Sequence, residues 1–109
     1  MKIKLAFLFA FICIASFAGN GSKHVQKHVK GQIIDQTTGE PLTGVLIKDA
    51  LTGESVYTDF NGYFSVNFYD NNAHTLEVTF VSYEDKKIVI NSSNKEEEIT
   101  VRLIESSIF

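Results

Sequence analysis

The sequence predicts an all-β fold, an antiparallel sandwich or barrel of about seven strands. Three observations carry that expectation. From Val29 to Leu103 no stretch repeats its apolar residues at helical spacing. Short runs there alternate apolar with polar residues, a period of two that puts one set of side chains on a buried face. Clusters of Gly, Pro, Asn and Asp separate the runs at the spacing of consecutive antiparallel strands, not of βαβ units.

The elements follow in order. VKGQIID sets Val29, Gly31 and Ile33 on one side. TTGEPLTG, with Gly39, Pro41 and Gly44, is a loop by composition. GVLIKDA shares a face between Val45 and Ile47, and LTGES turns the chain at Gly53. SVYTD and GYFSVNFY are read as a hairpin across DFNG. In the second of these runs Phe64, Val66 and Phe68 point one way, and Tyr63, Ser65, Asn67 and Tyr69 the other. YDNNAH turns, and HTLEVTFVSY carries Leu76, Val78 and Phe80 inward. KKIVI pairs Ile88 with Ile90, NSSNKEEE is a polar loop, and EITVRLI closes the set with Ile99, Val101 and Leu103. These inward residues are the expected core.

The front of the chain reads as a secretory signal over residues 1–18. Lys2 and Lys4 form a basic start, Leu5 to Ile14 an apolar run, and Ser16 and Ala18 a small-residue cut site. The run is short of the about 20 residues of a permanent span. Cys13 lies inside it, and Ile12 stands where a lipoprotein signal wants a small residue. The mature chain is then free of disulfide and thiol chemistry. Residues 19–28 are expected to be a flexible lead-in, 29–104 the folded domain and 105–109 a tail. Ten basic and 13 acidic residues give a net charge of −3; without Lys2 and Lys4 the balance is 8 − 13 = −5. A nucleic-acid partner needs a basic face and is excluded. Lys23, Lys27 and Lys30 read as solvated charges of the lead-in.

The stretch YTDFNGYF, Tyr57 to Phe64, offers a calcium loop or a turn. Asp favours the first position of a type I turn, Asn tolerates unusual backbone angles, and Gly accepts positive φ. A helix-loop-helix calcium site needs ligands at alternate positions and a glutamate at the twelfth. Here Tyr63 and Ser65 fall at ligand positions and Asp70 at the twelfth. Asp59, Asn61 and Gly62 are therefore read as structural turn residues, with Gly39, Pro41 and Gly44.

Taken in order, these pieces have a familiar pattern. Gly31 and Asp35, then Gly39-Glu40-Pro41-Leu42 with Gly44-Val45, then Thr58-Asp59 with Gly62 and Phe64, then Val81-Ser82-Tyr83 resemble the carboxypeptidase-regulatory-like domain family. The resemblance covers about Val29 to Leu103. It implies a seven-stranded, transthyretin-like Greek-key sandwich that is usually non-catalytic. It also implies a setting in secreted and envelope proteins of Bacteroidota, often ahead of the plug of a TonB-dependent outer-membrane receptor. In such receptors a plug and barrel follow, whereas this sequence stops at Phe109. It is expected to be a stand-alone module or the front end of a receptor, with Phe109 incidental.

Candidate chemistry is sparse. His24 and His28 are four apart, a spacing that shares a face only on a helix, and they are read with His74 as solvated. No metal site and no cofactor is expected. Ser82 and His74 could be named as nucleophile and base, but on one straight strand they would lie more than about 20 Å apart. Some transthyretin-like proteins are hydroxyisourate hydrolases with a Tyr-Arg-Gly-Ser terminus; this chain ends SSIF and has only Arg102. No catalytic residue is assigned. Tyr57, Tyr63, Tyr69 and Tyr83, with Phe60 beside them, form a candidate binding surface, since exposed aromatics stack on sugars or anchor protein partners. The leading expectation is a non-enzymatic exported interaction module in the periplasm or at the outer membrane. Its partner would be an envelope protein, such as an outer-membrane receptor. A carbohydrate-binding module and a receptor fragment are the alternatives.

Overall fold

The computed structural model describes residues 24–91 and 94–107. The signal reading, Lys23 and the last two residues lie outside the described residues. Seven strands form: β1 (Lys27–Asp35), β2 (Leu46–Asp49), β3 (Ser55–Tyr57), β4 (Tyr63–Phe68), β5 (His74–Thr79), β6 (Lys86–Ile90) and β7 (Glu96–Leu103). They make two sheets, ordered β4-β1-β7 and β3-β2-β5-β6. Between the sheets lie Val29, Ile33, Val45, Ile47, Phe64, Phe68, Leu76, Val78, Ile90, Val101 and Leu103, all buried. Val66, Phe80, Ile88 and Ile99, also expected inside, are partly buried and pack against this core.

Period two decides which side chains enter. In β1 Val29, Gly31 and Ile33 are buried while Lys30 is exposed. Gly31 is required by the packing, because a Cβ there would sit 2.3 Å from the Phe64 ring. A larger residue would push that ring out of the core.

Three expectations are corrected. The pairing of β1 with β7 is parallel, from His28↔Glu96 to Asp35↔Leu103, whereas the other ladders are antiparallel. Each connection reverses the chain, so two strands of odd number run the same way, and β1 and β7 meet as neighbours. Second, β3 and β4 are not a hairpin. The former pairs with β2 and the latter with β1, in different sheets. The DFNG turn therefore carries the chain across the sandwich. Third, the lead-in ends sooner than expected, since Lys27 and His28 already belong to β1. The Lys27 stem is buried and its Nζ lies 2.8 Å from Glu97 Oε1. That residue is an ion-paired part of the sheet, not a solvated linker charge.

Candidate functional site

The crossover from Thr58 to Gly62 is held by its own polar groups. Asp59 Oδ1 accepts the N–H groups of Asn61 at 2.9 Å and Tyr63 at 2.8 Å. Gly62 N donates to Asp59 O at 3.0 Å and Asp59 N to Tyr63 O at 2.9 Å. Gly62 has φ 77°, and a Cβ there would meet Ile33 O at 2.6 Å. This answers the choice raised by YTDFNGYF: the Asp59 carboxylate closes a turn, and Asp70 bonds a histidine elsewhere. Gly39 and Gly44 have φ 76° and 79°, and Pro41 bridges Ile34.

Thr58, part of the family pattern but given no role in the sequence reading, anchors the crossover. It is buried, donates from Oγ1 to Leu42 O at 2.6 Å and accepts from Val45 N at 2.9 Å. One side chain thereby ties the crossover to the loop before β2.

This fixed backbone displays three aromatic side chains. Phe60 is 88 % exposed, Tyr57 67 % and Tyr63 52 %. Tyr57 and Tyr63 line one groove of about 1000 Å³ together with Asp59, Gln32, Lys30 and Glu98. Tyr69 is 45 % exposed beyond the other end of β4 and does not line it. Tyr83 is corrected out of the surface: it is half-buried, its ring centroid lies 5.6 Å from that of Phe80, and its hydroxyl donates to Asp35 Oδ2 at 2.6 Å.

His74 is the second correction. It is buried, not solvated. Its Nδ1 lies 2.7 Å from Asp49 Oδ2 and its Nε2 2.7 Å from Asp70 Oδ1, with the Phe68 ring centroid at 4.4 Å. Burial pulls its pKa down, but hydrogen bonds and charge attraction from Asp70 and Asp49 outweigh that and raise it. The His74 hydrogen bond, first among several causes, holds the Asp70 carboxyl below its ordinary range. With both ring nitrogens engaged, the imidazole joins the β2 end to the turn before β5 and has no free position for general-base work. Ser82, once named beside it, is an exposed residue with φ 66° whose carbonyl accepts from Ser106 N at 2.9 Å. His24 is exposed, and His28 bonds Asn67. Among the described residues no group of three His, Cys, Asp or Glu could hold a metal.

The family model of the CarboxypepD_reg-like domain matches residues 29–108. The chain belongs to the CarboxypepD_reg-like domain family. Among curated proteins none matches it by sequence. Solved structures share the fold of this CarboxypepD_reg-like domain. A type II cohesin–X-dockerin complex from Acetivibrio cellulolyticus aligns with TM-score 0.58 and 24 % identity, covering 71 % of this chain and 56 % of that one. The group B streptococcus pilus 2b backbone protein gives TM-score 0.55 and 15 % identity over 75 % of this chain and 42 % of its own. A candidate carbohydrate-binding protein from Bacteroides uniformis gives TM-score 0.55 and 12 % identity over 75 % and 43 %. The CarboxypepD_reg-like chain thus spans about half the length of the solved chains it matches.

Proposed function

We propose that this domain is a non-enzymatic, exported interaction module of the cell envelope, acting in the periplasm or at the outer membrane. The observation that carries the proposal is the aromatic crossover. Tyr57, Phe60 and Tyr63 are largely exposed within seven positions, on a backbone fixed by Asp59, Gly62 and Thr58. Large aromatics on a rigid loop bury much area on docking and lose little conformational freedom, so they serve as interface anchors. The partner is an envelope protein, and the family's frequent place beside TonB-dependent receptors makes such a receptor the first candidate. The apolar run Leu5 to Ile14 and the small residues before position 19 support export. The absence of a free base at His74 supports a role without catalysis.

The test is cross-linking in intact cells, followed by binding of the purified partner to wild type and to Tyr57→Ala, Phe60→Ala and Tyr63→Ala. An enriched outer-membrane protein that loses affinity for these variants, with their unfolding temperature unchanged, supports the proposal. Binding that ignores all three substitutions overturns it.

A second reading rests on the groove. Tyr57 and Tyr63 share it with Lys30, Gln32, Asp59 and Glu98, the mixture of aromatic rings and hydrogen-bonding groups that holds a sugar. Retention on an envelope or dietary glycan that Tyr63→Ala abolishes would establish it. No retention of the wild type on any glycan removes it.

A further inference from the structure

β7 is an edge strand. It pairs with β1 on one side, and no described strand lies on the other. The β1 ladder uses its odd-numbered backbone groups: His28 N donates to Lys95 O at 2.8 Å and Gln36 N to Leu103 O at 2.9 Å. Alternation then turns the N–H and C=O groups of Glu96, Glu98, Thr100 and Arg102 toward the free edge. The edge ends there, because Glu84 N takes Ile104 O at 2.9 Å and Ser106 N donates to Ser82 O at 2.9 Å. Within the stretch, Arg102 O accepts from the exposed Lys86 Nζ at 3.2 Å, a single long bond that a backbone N–H can replace.

Natural edges are blunted by Pro, bulges, short length or inward charge. The Glu96–Leu103 strand has neither Pro nor Gly, and its register with β1 runs without a bulge. Its charge is also asymmetric. Glu96, Glu97 and Glu98 stand at the start and Arg102 near the end. An antiparallel copy of the same strand sets acid against base, and a parallel copy in register sets acid against acid.

We infer that two copies of this domain pair β7 to β7, antiparallel, about a two-fold axis at Ile99, joining the two three-stranded sheets into one. The axis at Ile99 is the midpoint of the free stretch from Glu96 to Arg102. It places Glu96 opposite Arg102 of the second copy and Glu98 opposite Thr100, on the outer face. On the inner face Ile99, only partly buried in one chain, meets its own counterpart. An axis one residue further on sets Glu98 against the arginine instead, so Arg102 faces an acid in either register. The edge lies across β1 from β4, which begins at Tyr63, so the pairing uses none of Tyr57, Phe60 and Tyr63, although Glu98, Ile99 and Thr100 of the edge also line the groove that Tyr57 and Tyr63 share.

Sedimentation velocity of the purified chain over a wide concentration series tests this. Wild type is expected to dimerise reversibly. Arg102→Glu sets acid against acid and is expected to raise the dimer dissociation constant by about tenfold or more. Glu96→Arg combined with Arg102→Glu restores the pair at the Ile99 axis. Thr100→Pro removes an N–H that faces the free edge while sparing the β1 ladder, and abolishes dimers. Circular dichroism confirms that each variant is folded; if Thr100→Pro is not, the Arg102 pair of variants decides alone. A wild type that is monomeric at every concentration overturns the inference. So does a dimer indifferent to Arg102→Glu.

Discussion

The phenol of Tyr83 donates to Oδ2 of Asp35 at 2.6 Å across 48 positions, joining the end of β1 to the segment between β5 and β6. The other oxygen of Asp35 accepts the N–H groups of Thr37 at 2.7 Å and Thr38 at 2.9 Å. One carboxylate therefore opens the β1–β2 loop and ties it to the opposite sheet. The Tyr83 bond is the first cause that holds Asp35 below its ordinary range, and the same bond, with burial second, pushes Tyr83 up to about 12. A phenol whose folded pKa is raised contributes fully below its unfolded value of 10.0 and loses that contribution as pH climbs toward 12. Tyr83→Phe is expected to lower the unfolding temperature near neutral pH and to delete the most alkaline step of a spectrophotometric tyrosine titration. The stability gap to wild type should narrow as pH rises through this window. It should also narrow below 3.8, where Asp35 gains its proton. A gap that stays constant with pH would assign the loss to ring packing alone.

His74 gives a second pH signature with the opposite alkaline sign to a buried neutral histidine. Its folded pKa is raised above 6.5, so its charged pairing with Asp70 and Asp49 contributes fully below that value and fades as pH rises through the folded one. Asp70 is lowered from 3.8, so its share appears above that value and is lost in acid. Between these limits His74→Phe leaves the buried Asp49 without its partner, at a cost of about 3 kcal/mol or more. Denaturant unfolding of both proteins from pH 4 to 9 should show the largest gap in the acidic half of the range. A gap that grows toward pH 9 would mean that His74 is neutral in the fold.

Strand existence and the core were legible because both depend on a local period. Phe64 and Phe68, or Leu76 and Val78, reveal their face within a few residues of sequence. Glycine turns were legible for the same reason, since Gly62 needs its positive φ whatever it joins. What the crossover joins is a non-local fact. DFNG has the chemistry of a hairpin, and only the competing partners β1 and β2 pull β4 and β3 into different sheets. The polar ties were hidden likewise: Asp49 is 25 positions from His74. The one local signal was Asp70, four before His74 in YDNNAH, a spacing that meets across a tight turn as well as on a helix. Among the aromatics, alternation placed Tyr63 outward correctly. It could not reveal that Tyr83 would spend its hydroxyl on Asp35.

Thr58 offers a test of how far one hydroxyl holds the crossover. It donates to Leu42 O and accepts from Val45 N while buried. Thr58→Val keeps the shape and leaves both backbone groups without that partner. The expected loss is about 2 kcal/mol, within the range for stranding buried hydrogen-bonding groups. The measurement is urea unfolding. Amide exchange of Val45 should accelerate with it, because its N–H loses the acceptor. An unchanged exchange rate at Val45 would show that the loop holds without this tie.

Gly62 and Gly39 separate backbone strain from steric contact. Both have positive φ, 77° and 76°. Around Gly39 a Cβ would meet nothing within 4 Å, whereas at Gly62 it would lie 2.6 Å from Ile33 O and 3.0 Å from Pro41 Cβ. Gly39→Ala is therefore expected to cost about 1 kcal/mol, the conformational penalty alone. Gly62→Ala adds a collision with a carbonyl that already accepts from Leu42 N at 3.0 Å, so relief must come from moving β1 or the loop. Its cost should exceed that of Gly39→Ala by about 1–3 kcal/mol. Paired unfolding curves measure the difference directly. Equal losses would show that the crossover yields without disturbing β1, and the rigid presentation of Tyr57, Phe60 and Tyr63 would lose its basis.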